Sequence, residues 1–273
     1  SAFGNATSGI GPIAREVKDA ALLLQVMAGP DERDLFSRGV QTPPDYFADL
    51  EKGVKGVRVA WSPDFGRIEP ESSEAVQVCQ ALAQTFKELG AAYDEPRLHL
   101  QDPMDALDPN PEFSSAKVAA ELLKLAPEFK NPLEWMKGLP PDQYAKLTIY
   151  VRDRTESPTQ LEYSMSIPPA VRNRPVDRLG DVFKRYDLVL SPTIARPAFF
   201  AVEQGITPFQ YTAYNLIVNI SGSCACSVPA GFVDGMPVGL QIWGRPGDEA
   251  LLLRAARALE QAKPWAQHRP KLV

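Results

Sequence analysis

Val57-Arg58-Val59-Ala60-Trp61, then Ser72-Ser73-Glu74-Ala75-Val76-Gln77-Val78-Cys79 running on to Phe86 and Leu89, then Gly90-Ala91-Ala92-Tyr93: the span 57–93 decides the fold. In the first block Val57, Val59 and Trp61 alternate, as the side chains of a strand do. Ser72 or Ser73 stands where a helix wants a capping hydroxyl, and Ala75, Val78, Cys79, Leu82, Phe86 and Leu89 then form one apolar stripe. Gly90 ends it, and Ala91 to Tyr93 reads as a second short strand. Strand, helix and strand within about forty residues form a βαβ unit, which requires strands paired in parallel and places the chain in the α/β class.

Working outward, a helix is expected after Gly11-Pro12, since proline suits a first helical turn. Val17, Ala20, Ala21, Leu24, Met27 and Ala28 recur at helical spacing, and Gly29-Pro30 stops the run. From about 100 to 185 the chain reads as helices (113–126, 141–155 and 176–185) between proline-rich joints such as Pro140-Pro141 and Pro168-Pro169. This is expected to be a helical insertion within one domain spanning 1–273. Asp187-Leu188-Val189-Leu190-Ser191 is the short apolar run of a strand covered on both faces. A helix is expected at 208–218. A hairpin follows from Cys224–Gly231 to Val238–Trp243, with Asp234-Gly235 at its turn. A last helix starts near the candidate cap Asp248.

Composition excludes several functions. The chain has 273 residues, a net charge of −5, 44% hydrophobic and 23% charged residues. That is globular composition without the basic footprint that nucleic acid or anionic lipid demands. Twenty-six prolines predict stiff connections. Three cysteines and two histidines are too few for a disulfide framework and fit a reducing, cytoplasmic setting. No apolar run reaches the ~18 residues of a membrane helix. The start, Ser1-Ala2-Phe3-Gly4-Asn5, lacks a signal peptide's basic and apolar regions, and also an initiator methionine, so an upstream segment is expected.

The chemistry-bearing patterns are each incomplete. Gly9-Ile10-Gly11-Pro12-Ile13-Ala14 matches a dinucleotide fingerprint, but Gly4-Asn5-Ala6-Thr7-Ser8 before it is no strand. Ser114-Ser115-Ala116-Lys117 satisfies Ser-x-x-Lys without the accompanying Lys-Thr-Gly, so a solvated helix start is the default. Cys224-Ala225-Cys226 puts two thiols on one strand face, yet four ligands for a structural zinc are not at hand. The carboxylates Asp94, Glu95, Asp102, Asp105 and Asp108, with His99, lie in polar stretches that ordinarily face water. No Gly-x-Ser-x-Gly elbow and no His-Glu-x-x-His occurs. Neither metal nor cofactor is expected.

Three stretches together resemble the amidase signature family. They are Gly11-Pro12-Ile13-Ala14-Arg15 with Asp19 to Leu24 and Met27-Ala28-Gly29-Pro30-Asp31; Tyr186-Asp187-Leu188-Val189-Leu190-Ser191-Pro192-Thr193; and Asn219-Ile220-Ser221-Gly222 continuing through Ser227-Val228-Pro229-Ala230-Gly231-Phe232 to Gly235-Met236-Pro237-Val238-Gly239-Leu240-Gln241-Ile242-Trp243-Gly244-Arg245. The resemblance implies an α/β/α sandwich around a mixed β-sheet. It also implies hydrolysis of a linear amide by a serine nucleophile, helped by a second serine and a lysine, without a cofactor.

The family's Gly/Ser-rich catalytic segment and its lysine lie upstream of the Gly-Pro-Ile-Ala-Arg stretch. The expectation is therefore a C-terminal amidase portion, inactive alone and partnered by its N-terminal half from the same gene or a companion chain. No catalytic residue is assigned. By resemblance, Thr193, Tyr211, Tyr214, Asn215, Asn219, Ser223 and Cys224 face the nucleophile and bind a small-molecule amide, although Tyr214, Asn215 and Val218 also fit a buried helix face. The family's Leu-Pro-Ala-Ile is here Ser223-Cys224-Ala225-Cys226, which alters the local wall. Two alternatives stand beside this reading. One is a glutamine amidohydrolase like the corresponding component of the tRNA-dependent amidotransferase, in which an aspartate holds the glutamine amine where this chain has Thr212. The other is a non-catalytic binding or assembly module. A homo-oligomer is also compatible. A chain cut within its own sheet should expose apolar surface and bind a hydrophobic dye.

Overall fold

The computed structural model describes residues 10–31, 37, 42–66, 68–100, 181–194, 196–197, 214–215, 217–219 and 221–269. The helices expected at 113–126 and 141–155 lie outside these residues, as does Tyr211. The described elements run α1 (Val17–Met27), β1 (Arg58–Trp61), α2 (Ser73–Glu88), β2 (Ala92–Asp94), β3 (Leu188–Pro192), β4 (Cys224–Val233), β5 (Met236–Gly244) and α3 (Glu249–Ala262).

The βαβ unit of the sequence is present. Ser72 is the cap, its Oγ accepting from the Ala75 N–H at 3.1 Å, and β1 pairs β2 in parallel. The sheet is mixed, in the order β2-β1-β3-β5-β4, with β1 and β3 parallel and β5 antiparallel to both β3 and β4. β3 is buried at all five residues because both sheet faces are covered at its position. Val59, Trp61, Leu188, Leu190, Leu240 and Ile242 point to one face and pack with α2, α3 and α1. Ala60, Val189 and Trp243 point to the other and pack with Phe65, Phe183, Tyr214, Ile217 and Val218. The fold is thus the expected α/β sheet with helices on its faces.

Three local expectations need correction. α1 starts at Val17 with Glu16 at its N-cap, not in the turn containing Pro12. Glu16 makes no side-chain cap. The Val17 N–H is satisfied instead by Glu260 Oε1 of α3 at 3.0 Å, across 243 residues of sequence. Asp248 occupies the N-cap of α3 but does not cap it; Oδ2 turns back to accept from the Arg245 N–H at 3.0 Å. The hairpin is tighter than expected. β4 and β5 run up to a two-residue loop, Asp234-Gly235, both at positive φ (51° and 77°) as a type I′ turn requires. A bulge between Pro229 and Gly231 accommodates the proline, which an edge strand tolerates.

Tyr186-Asp187 is an anchoring point. Asp187 takes the Arg58 guanidinium in a fork, Nη2 to Oδ1 at 2.6 Å and Nε to Oδ2 at 3.1 Å. Arg58 Nη1 then donates to the Lys184 carbonyl at 3.0 Å, and Arg245 donates to the carbonyls of Phe183 and Tyr186. Two arginines therefore satisfy the end of the helical segment 181–185, whose last carbonyls have no partners within the helix. Tyr186 in turn donates to Asp94 Oδ2 at 2.5 Å, tying β2 to the same corner.

Candidate functional site

Of the three stretches that carry the resemblance, two meet on the Trp243 face of the sheet. Ser191, Gln241 and Ser227 stand abreast on β3, β5 and β4, because Gln241 pairs with both serines. Gln241 Nε2 donates to Ser191 Oγ at 3.2 Å, and both side chains are buried. One step further along the strands, Thr193 takes the Gly239 carbonyl through its N–H at 2.8 Å. Thr193 Oγ1 and Ser227 Oγ lie 2.6 Å apart, either able to donate.

Their strands are separated by β5, a span of about 10 Å between backbones. The hydroxyls meet because Gly239 leaves the space between them empty. A Cβ there would lie 2.7 Å from Ser227 Oγ and 3.0 Å from Thr193 Oγ1. The glycine of Val238-Gly239-Leu240-Gln241 is thus explained by close approach, not by its backbone angles. Thr193 is half-buried and Ser227 exposed, so this bridge faces outward from the sheet.

Chemically, this row is neutral. Its hydroxyls and amide can hold or orient a polar group, but it offers no base to activate a serine. Among the described residues no group of three or more His, Cys, Asp or Glu converges as for a metal ion.

The other expected site residues are spread out. Tyr214 is buried against Phe65, with ring centroids 5.6 Å apart, and its hydroxyl donates to the Pro63 carbonyl at 2.6 Å. Burial, with the charge of Asp64 next, pushes that hydroxyl well above the ordinary tyrosine value. Asn215 and Asn219, one helical turn apart, are half-buried and exposed, whereas Ile217 and Val218 between them are buried. Cys224, with Ser223 just before it, starts β4 level with Gly244, five residues from the Gly239 level of Thr193, or about 17 Å along the strand. Ser223 Oγ lies 2.9 Å from Ser221 Oγ, and Cys224 Sγ donates to the Arg245 carbonyl at 2.9 Å. Burial pushes the Cys224 thiol up, with Glu249 adding to it, so it is no activated nucleophile. Thr193 and Cys224 consequently do not share one small pocket. Sequence reasoning does not single out Ser227, Gly239 or Gln241 as site residues. Their signal is present in the Ser-Val-Pro-Ala-Gly and Val-Gly-Leu-Gln stretches, but only the pairing of β3, β5 and β4 brings them to Thr193.

The mixed sheet with helices on its faces, and the Tyr186-Asp187 corner held by two arginines, belong to an α/β fold that amidase signature enzymes share. The model of the family described as Amidase matches residues 2–253, and the chain belongs to that family. The A subunit of the glutamyl-tRNA(Gln) amidotransferase of Lactiplantibacillus plantarum is 32% identical over 99% of this chain and 58% of its own length. That of Rubrobacter xylanophilus is 32% identical over 96% of this chain and 56% of its own. Among solved structures, a bacterial aryl acylamidase of the amidase signature family has a TM-score of 0.66 at 28% identity, covering 94% of this chain and 53% of that one. The corresponding amidotransferase component of Thermotoga maritima gives 0.66 at 25%, covering 96% and 54%. The chain thus spans a little over half the length of these relatives.

Proposed function

We propose that this chain forms the pocket wall of an amidase that hydrolyses a linear carboxamide through a Ser-Ser-Lys centre carried on a segment upstream of it. The observation that carries the reading is the Thr193–Ser227 bridge over Gly239, where residues from separate family stretches build an outward-facing neutral hydroxyl row. Such a wall suits an uncharged amide, which needs hydrogen-bond partners and no counter-ion. The serine nucleophile would add to the amide carbonyl and expel the amine, and water would then free the acid from the acyl-serine. Asn215, Asn219 and Tyr211 would line the approach. The test is intact mass after treating the purified parent assembly with a fluorophosphonate that labels activated serines. The adduct belongs on the upstream segment, with this 30.0 kDa chain unlabelled. Stoichiometric labelling of this chain would place the nucleophile within it and overturn the assignment.

A second reading, glutamine hydrolysis for ammonia transfer, is favoured by the names of the 30–32% identical relatives. Thr212, uncharged where an ammonium group would need a carboxylate, weighs against it. Free glutaminase activity of the assembly would decide for it.

A further inference from the structure

The peptide unit between Pro192 and Thr193 is held at both of its polar ends. Its N–H, on Thr193, goes to the Gly239 carbonyl at 2.8 Å. Its carbonyl, on Pro192, accepts from Ser191 Oγ at 2.9 Å. Ser191 has a single hydroxyl hydrogen and that bond uses it, so the serine can meet Gln241 only as an acceptor. This fixes which way the Gln241 amide points: its nitrogen faces the serine, Nε2 to Oγ at 3.2 Å. Ser191 and Gln241 are 1 and 3% exposed, where water does not replace a lost donor. The Gly239 carbonyl is tied down in turn, because Cys79 Sγ of α2 donates to it at 3.3 Å.

The consequence falls on the Thr193 side chain. Threonine is stiff at χ1, and its rotamer is set against its own backbone. With the preceding peptide plane held, few directions remain open to the hydroxyl, and the one adopted brings it within 2.6 Å of Ser227 Oγ. We propose that Gln241 is a positioning residue for the amide-binding wall. It donates to Ser191, which leaves the serine hydrogen to the Pro192 carbonyl and so holds the Thr193 hydroxyl in the outward-facing row. The proposal rests on the functional reading above and deepens it, since Gln241 is buried and acts on a bound amide only through Thr193. The polarity of the relay is what matters. An acceptor at 241, such as a carboxylate, would draw the serine hydrogen to itself and release the Pro192 carbonyl.

The test uses Gln241→Met, which keeps the side chain's length and removes the donor, and Gln241→Glu, which reverses it, in the parent assembly. Amide exchange at Thr193 should quicken at least tenfold in both, with Val189 and Leu190 within twofold of the parent. Ser191→Ala breaks the same link with a smaller change to the core and should reproduce the effect. With acetanilide as the neutral amide, KM should rise about fivefold, the scale of one neutral hydrogen bond, and kcat should stay within twofold. In a Thr193→Val background, Gln241→Met should add less than a twofold further rise, because the group it positions is gone. Unchanged exchange at Thr193 overturns the proposal. So does a fall in kcat at constant KM, the mark of a packing defect that only lowers the active fraction, or a rise in KM that persists in full without the threonine hydroxyl. Quickened exchange in an assembly that hydrolyses no amide upholds the hold on Thr193 and overturns the functional reading instead.

Discussion

Gly239 is the residue whose replacement says most about the site. Gly239→Ala pushes a methyl between Thr193 and Ser227, and since both ends are hydroxyl groups on the two flanking strands the cost is overpacking of about 1–3 kcal/mol. A urea melt should show that loss, and Ser227→Ala in the same background should recover part of it. Arg245 makes the second prediction. Arg245→Met keeps the stem but strands the carbonyls of Phe183 and Tyr186, for a loss of about 2–3 kcal/mol by the same melt. At this scale the sequence is half legible. Thr193 stands out in its stretch, whereas Ser227 and Gly239 acquire meaning only through register, which no local pattern encodes. Tyr214 reads equally as pocket or core from spacing, and its hydroxyl is occupied by a backbone carbonyl that only the folded loop at Pro63 presents.

Among the elements, the βαβ unit is readable because each part carries its own signals: alternation, a capping serine, one stripe and a terminal glycine. The start of α1 is not, since its cap is supplied by another helix. Glu260 also takes Arg257 Nη1 at 2.7 Å, so the carboxylate is held in place while it accepts the Val17 N–H. Glu260→Ala should cost about 1 kcal/mol, the usual worth of a helix cap, and fray the first turn of α1. Amide exchange at 17–20 should quicken while exchange in α2 stays as it was. Asp248 shows the converse: a sequence-perfect cap diverted by a nearby arginine.

For the whole molecule, burial of the thiols makes stability depend on alkaline pH. Burial pushes Cys79 and Cys226 up to about 12, and Cys224 further. In the unfolded chain these groups ionise near 8.5. Above that value the unfolded state sheds protons that the folded state retains, so stability is full below about pH 8.5 and falls as pH rises toward 12. The urea midpoint should therefore drop between about pH 8 and pH 10.5, and a triple Cys→Ser variant should flatten the drop whatever its own stability. At neutral pH the thiols should resist alkylation until denaturant is added.

The bond between Val17 and Glu260 has a further consequence, for time rather than stability. Synthesis proceeds from the N-terminal side, so α1 waits for 243 further residues before its opening turn can be closed. β1 likewise waits for β3, 129 residues after Val59 by the pairing of Val59 with Leu188. Elements completed by residues so far downstream form late, since long loops must close before their contacts count. Shortening the chain within α3 should therefore show itself first at α1, 243 residues away in sequence.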